Sequence, residues 1–266
     1  MLLIAALLGL TGCSGSAAGD DTETESTSAS QAGNLTGTLT VFAAASLTDV
    51  FDEIGDQLMA DNPDLHVQFN FAGSSALATQ LTQGAPADVF ASADEVQMAK
   101  VTDVDLAENP EVFATNPLML AVPVDNPLGI HLPEGGGIPS LTEILDGDLV
   151  MAVCAPEVPC GTAAAKVLEA AGMSAYPDTY EDDVRAVLTK VELGEVDAGL
   201  VYLSDVHAAG DKVEAFGFSE SLDAINRYPI ALLADSPNPA AAQAFVDLVL
   251  SDEGQKILRD AGFLEP

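Results

Sequence analysis

The chain is poor in positive charge. Lysine and arginine together number 8 against 42 aspartates and glutamates, a formal net charge of −34. Nucleic-acid binding needs a basic surface, so this balance argues against it. The same field mildly repels anions at long range, although 0.1 M salt screens it beyond about 10 Å. The three histidines, His66, His131 and His207, are isolated from one another on strand or loop patterns. No His-Glu-x-x-His motif or His/Cys cluster offers a zinc site. No Gly-x-Ser-x-Gly elbow offers an acyl-transfer nucleophile. Asp182–Asp183 reads as a solvated helix start, where negative charge suits the helix dipole. These absences argue for a binding protein and against an enzyme. Internal repeats are lacking too.

Long apolar runs are also missing. The leading stretch from Met1 to Leu10 is too short for a stable bilayer span. It ends in Leu10-Thr11-Gly12-Cys13, which resembles the lipobox of bacterial lipoproteins. That resemblance makes residues 1–13 a lipoprotein signal and Cys13 the lipidated cysteine. The lack of a Lys or Arg before the apolar run departs from the pattern. Residues 14–37 are mostly small and polar and read as a tether. The other two cysteines, Cys154 and Cys160, do not have the spacing of a zinc or redox Cys-x-x-Cys pair. Outside the cytoplasmic membrane they suit a short disulfide-closed loop, with two free thiols as the alternative.

What is present is a repeated strand–helix pattern. A hydrophobic fraction of 48% over 266 residues can fill one large or two medium cores. Leu39-Thr40-Val41-Phe42 is an apolar strand running into Ala43-Ala44-Ala45-Ser46. Leu47, Val50, Phe51, Ile54 and Leu58 then recur at helical spacing. Ser46 is therefore expected at a helix N-cap, where spare backbone N–H groups and a hydroxyl make an anion site. The device recurs: Leu65 to Phe71 alternates as a strand, and Ala72-Gly73-Ser74-Ser75 opens the next helix. Two such units side by side place both serines at the carboxyl edge of one parallel sheet, where open α/β sheets bind ligands. Further on, Asp94 is expected to cap a helix, and Ser140-Leu141-Thr142-Glu143 to form a capping box. A helix from Thr162 closes at Gly172. Asp197 to Tyr202 and Arg227 to Leu233 read as strands, and Ala240 to Ala261 as an amphipathic helix or helix pair.

Several segments in order resemble the molybdate-binding proteins of bacterial ABC transporters. They are Val41-Phe42-Ala43-Ala44-Ala45-Ser46-Leu47, Phe71-Ala72-Gly73-Ser74-Ser75, Ala87-Asp88-Val89-Phe90-Ala91-Ser92-Ala93-Asp94, Val158-Pro159-Cys160-Gly161 and Gly199-Leu200-Val201-Tyr202. The resemblance runs from about Leu39 to Phe263. It implies an α/β, two-lobed solute-binding fold with mainly parallel sheets and a two-crossing hinge. Lobe 1 would hold residues 38–116 and 232–266, and lobe 2 residues 117–231.

Carried over motif by motif, the ligand set is Ser46 and Ser74 through their hydroxyls, Cys160 and Val184 through backbone N–H groups, and Tyr202 through its phenol. The family more often has a small residue where Cys160 stands; a backbone donor survives that change. The resemblance further implies molybdate or tungstate as ligand, no cofactor, an ABC permease and its ATPase as partners, and a monomer held at the membrane by a lipid anchor. A receptor for another oxyanion, such as sulfate, is the alternative. The chemistry is consistent: molybdate and tungstate are proton-free dianions near neutral pH, so a matched pocket needs donors only. A rigid cage separates them from smaller sulfate by size.

Overall fold

The computed structural model describes residues 34–266 apart from Asp146 and Ala175. The expected signal, Cys13 and the tether up to residue 33 lie outside the described residues. Among those described, no helix is long and apolar enough to cross a membrane, and no His/Cys/Asp/Glu group could hold a metal ion.

Two five-stranded sheets organise the chain. The first forms from β1 (Gly37–Ala44), β2 (Leu65–Ala72), β3 (Val89–Ala91), β4 (Glu111–Asn116) and β10 (Asn226–Leu232), in the order β2-β1-β3-β10-β4. The second forms from β5 (Leu118–Pro123), β6 (Met151–Cys154), β7 (Thr179–Glu181), β8 (Ala198–Tyr202) and β9 (Val213–Phe216), in the order β7-β6-β8-β5-β9. Each sheet has the same plan, with parallel pairing on one side and antiparallel pairing on the other. Both sheets are mixed but mainly parallel, as expected: four strands of each run the same way, and only β10 in the first and β5 in the second are reversed. The antiparallel strands are those that carry the chain from one sheet to the other, and a crossing strand enters against the direction of the βα units.

The crossings run from β4 through Pro117 into β5, and from β9 back into β10. The return strand pairs with β3 and β4 along Asn226–Leu232. The return therefore precedes this strand and falls before the boundary expected at residue 232. At the amino end, β1 begins at Gly37, the last residue of the expected tether.

Helices cover the sheets because their apolar stripes face inward. In α1 (Thr48–Asp61) the buried residues are Val50, Phe51, Ile54, Gly55 and Leu58, one side of a 3.6-residue period. Phe51 meets Phe113 and Phe245 with ring centroids 5.9 and 5.2 Å apart. Phe245 comes from α8 (Pro239–Leu250), the first member of the closing pair with α9 (Asp252–Asp260). The second lobe has its own core, in which Val187, Leu188 and Val191 of α6 (Val184–Glu192) pack with Leu120, Ala152 and Leu200. The expected caps form at Asp94, whose carboxylate accepts from Gln97 N at 2.7 Å, and at Ser140 in its capping box with Glu143. Asp88 is buried and fully used as a brace: it accepts from Thr40 N and Asn238 N at 2.7 Å and from Ser236 Oγ at 2.6 Å.

Candidate functional site

Both serines stand where expected, at the carboxyl edge of the parallel β1–β2 pair, but neither caps a helix. A 3-10 turn, Ala45–Leu47, separates β1 from α1. Leu47 is the N-cap of α1, and no side chain caps that end. The backbone turn displaces the helix start and frees Ser46, whose Oγ lies 2.9 Å from the Tyr228 hydroxyl. Ser74 is the first residue of α2 (Ser74–Thr82), with Gly73 at the N-cap. Its Oγ accepts from Ala93 N at 3.0 Å, so its own proton remains to be donated.

The facing wall comes from the second lobe. β6 ends at Cys154, and α5 (Pro159–Ala170) begins with Pro159 and Cys160. Cys154 and Cys160 are joined by a disulfide, which closes the loop between strand and helix. A Cβ at Gly161 would stand 1.8 Å from Ala155 O, so the tight turn admits only glycine. Asp183 caps α6, accepting from Ala186 N at 3.0 Å, and Val184 follows as the first helical residue. The N–H groups of Cys160 and Val184 belong to first turns, which lack intrahelical partners and lie at positive dipole ends. Tyr202 closes β8.

Ser46, Ser74, Cys160, Val184 and Tyr202 all line one tight cavity of about 10 Å³ between the lobes. Among the described residues, the only charged side chain in its lining is Asp183, whose carboxylate is engaged in the helix cap. The walls touch: a Cβ at Gly73 would lie 2.5 Å from Asp182 O, and Gln97 Nε2 donates to Glu157 O at 3.2 Å. A larger groove on the first lobe, about 220 Å³ and lined by Leu81, Pro86, Leu106 and Leu233, gathers no comparable donor set among the described residues.

The Tyr202 hydroxyl is fully buried beside that of Tyr228. Burial holds both phenols well above their ordinary pKa, so both remain donors across the physiological range. Behind the cavity, Asp205 is buried in α7 (Leu203–Ala209). Its Oδ2 accepts from Tyr202 N at 3.0 Å, and its Oδ1 lies 3.0 Å from Arg185 Nε. Burial raises its pKa to about 7, partly offset by the Arg185 charge. Arg185 reaches on to Asp49 of the first lobe, so one guanidinium links a carboxylate on each lobe.

Sequence reasoning missed Tyr228, Asn116 and the Arg185–Asp205 pair. Tyr228 had a signal: it lies on the strand expected at Arg227–Leu233. What sequence could not supply was the 182-residue separation that brings it to Ser46.

Two open α/β lobes, joined by two crossings and lined at their junction by neutral donors, define a solute-binding protein. The chain belongs to the bacterial extracellular solute-binding proteins, whose family model matches residues 39–264. It is 44% identical over 229 residues to the molybdate-binding protein ModA of Mycobacterium tuberculosis, covering 86% of this chain and 85% of that one. It is 29% identical over 271 residues to the putative ABC transporter substrate-binding lipoprotein YvgL of Bacillus subtilis, covering 98% and 95%. The Azotobacter vinelandii periplasmic molybdate-binding protein superposes with a TM-score of 0.74 at 19% identity, over 86% of this chain and 99% of that one, which speaks for the fold. As a member of a family of binding proteins, the chain is not an enzyme.

Proposed function

We propose that the chain is an extracytoplasmic, lipid-anchored receptor that binds molybdate or tungstate between its lobes and presents it to an ABC importer. The observation that carries this reading is a cavity whose hydrogen-bond donors are neutral and come from both lobes, with its one carboxylate, Asp183, engaged in a helix cap and no basic side chain among the described lining residues. Such a lining suits a dianion that accepts hydrogen bonds and donates none. Charge-assisted hydrogen bonds and two helix N-termini replace its water shell. The identity to the mycobacterial molybdate-binding protein supports the same ligand. In this reading Ser46, Ser74 and Tyr202 donate through hydroxyls, Cys160 and Val184 donate through backbone N–H groups, and no cofactor takes part.

The lobes close on the ligand about the two crossings, and the closed form is what a permease with its ATPase reads. The protein acts as a monomer, and Cys13 carries the lipid that holds it at the membrane.

Thermal unfolding titrated with molybdate, tungstate, sulfate and phosphate tests the ligand. Molybdate and tungstate should raise Tm as mass action requires for a ligand of the native state, and sulfate and phosphate should do so far less. A shift with sulfate alone would make the chain a sulfate receptor on the same fold. No shift with any oxyanion well above micromolar concentration would end the reading.

A further inference from the structure

We propose that Asn116 and Tyr228 fix the direction in which Ser46 donates, through a one-way chain of hydrogen bonds that ends at the bound oxyanion. This rests on the reading of the cavity as an oxyanion site.

Asn116 is the last residue of β4, fully buried where the chain leaves the first lobe. Its Oδ1 faces Ser204 N at 3.5 Å, and a backbone N–H can only donate. That contact sets the amide orientation and turns Nδ2 toward the Ser204 Oγ at 2.8 Å and the Tyr228 hydroxyl at 3.4 Å. Tyr228 therefore receives a proton from Asn116 and must place its own elsewhere. The acceptor in reach is Ser46 Oγ at 2.9 Å. A serine oxygen already accepting from Tyr228 has its single proton free for the cavity that Ser46 lines.

Ser74 is oriented the same way by the Ala93 N–H, a donor that cannot reverse. Both hydroxyls thus present protons, and an oxyanion that carries a proton of its own finds no acceptor in either. Ser46 differs in being oriented by side chains, so its direction can be reversed by substitution.

Asn116→Asp is nearly isosteric and replaces the donor at the head of the chain with an acceptor. Tyr228 then donates back to residue 116, Ser46 donates to Tyr228, and a lone pair faces the oxyanion. Molybdate affinity by calorimetry should fall about 10–150-fold, the range for losing a hydrogen bond to a charged group. Adding Tyr228→Phe breaks the chain, so the double variant should bind more tightly than Asn116→Asp alone. A double variant no tighter than the single one would overturn the proposal, because charge repulsion from residue 116 or general damage would persist without Tyr228.

If Asn116→Asp does not fold, a cycle of Ser46→Ala and Tyr228→Phe asks the same question. Tyr228→Phe should weaken binding in the wild-type background and cost little once Ser46 is gone. Independent, multiplicative effects would overturn the relay. Failure of the wild-type protein to bind molybdate would instead overturn the oxyanion reading on which the relay rests.

Discussion

Removing one oxygen from Tyr202 should move binding and stability in opposite directions. The Tyr202 hydroxyl is buried and has no hydrogen-bond partner within the described protein, yet it lines the cavity. A buried hydroxyl left unsatisfied costs about 1–3 kcal/mol, and a hydrogen bond to a charged group contributes about 1.5–3 kcal/mol. Tyr202→Phe removes the first cost from the ligand-free protein and the second gain from the complex. The ligand-free variant should therefore be more stable by on the order of 1 kcal/mol, a rise in Tm of about 2–4 °C for a domain of this size. Its molybdate Kd should rise about 10–150-fold. Calorimetric titration and thermal unfolding of the same preparation measure both. Tyr228→Phe is the contrast: its hydroxyl is bonded to Ser46 and Asn116, so its loss should lower Tm. A Tyr202→Phe protein that melts lower, or binds with unchanged Kd, would refute the assignment of this hydroxyl as a donor held ready for ligand.

Other consequences follow from the contacts around the site. Gly73→Ala keeps a backbone that alanine tolerates, but its Cβ would stand 2.5 Å from Asp182 O on the facing lobe. It should weaken molybdate binding more than about tenfold, as a change of more than about 1.4 kcal/mol does, with little change in ligand-free Tm. Both are read in one thermal-shift titration. Replacing Cys154 and Cys160 by serine opens a short covalent loop. Loop-closure entropy puts the loss at about 2 kcal/mol, seen as a lower urea midpoint. Asp205 has its pKa raised from the ordinary 3.8 to about 7, so the native state holds its proton more tightly than the unfolded chain. Its contribution to stability therefore falls as pH rises from about 4 to about 7 and is level above that. Urea unfolding at pH 5 and pH 8 should show a smaller pH difference in Asp205→Asn than in the wild type.

Much of the site was legible because its parts are local. Each of the five expected residues lies at the end of a strand or the start of a helix; apolar periodicity pointed to Ser46 and Ser74, and the family resemblance to Cys160, Val184 and Tyr202. Alternating period announced the βα units, while their division into two lobes came from the resemblance to the molybdate-binding family. What failed depends on detail or distance. Capping by Ser46 looked sound from spacing, but a three-residue 3-10 turn absorbed the helix start. The short strands β7 and β9, of 3 and 4 residues, carry too few positions to show a period. The contacts of Asn116 with Ser204 and Tyr228 join residues 88 and 112 positions apart, and those of Arg185 depend on how the lobes meet. Such pairings follow from tertiary packing, which a single sequence does not display.

Diffraction from crystals grown with molybdate, with data collected at the molybdenum absorption edge, tests most directly whether neutral donors from two lobes hold the oxyanion. One anomalous peak should lie in the cavity between α5 and α6. Its oxygens should be within hydrogen-bond distance of the Ser46 and Ser74 hydroxyls, the Tyr202 phenol and the N–H groups of Cys160 and Val184. A peak elsewhere, or an oxyanion held chiefly by a lysine or arginine side chain, would contradict it.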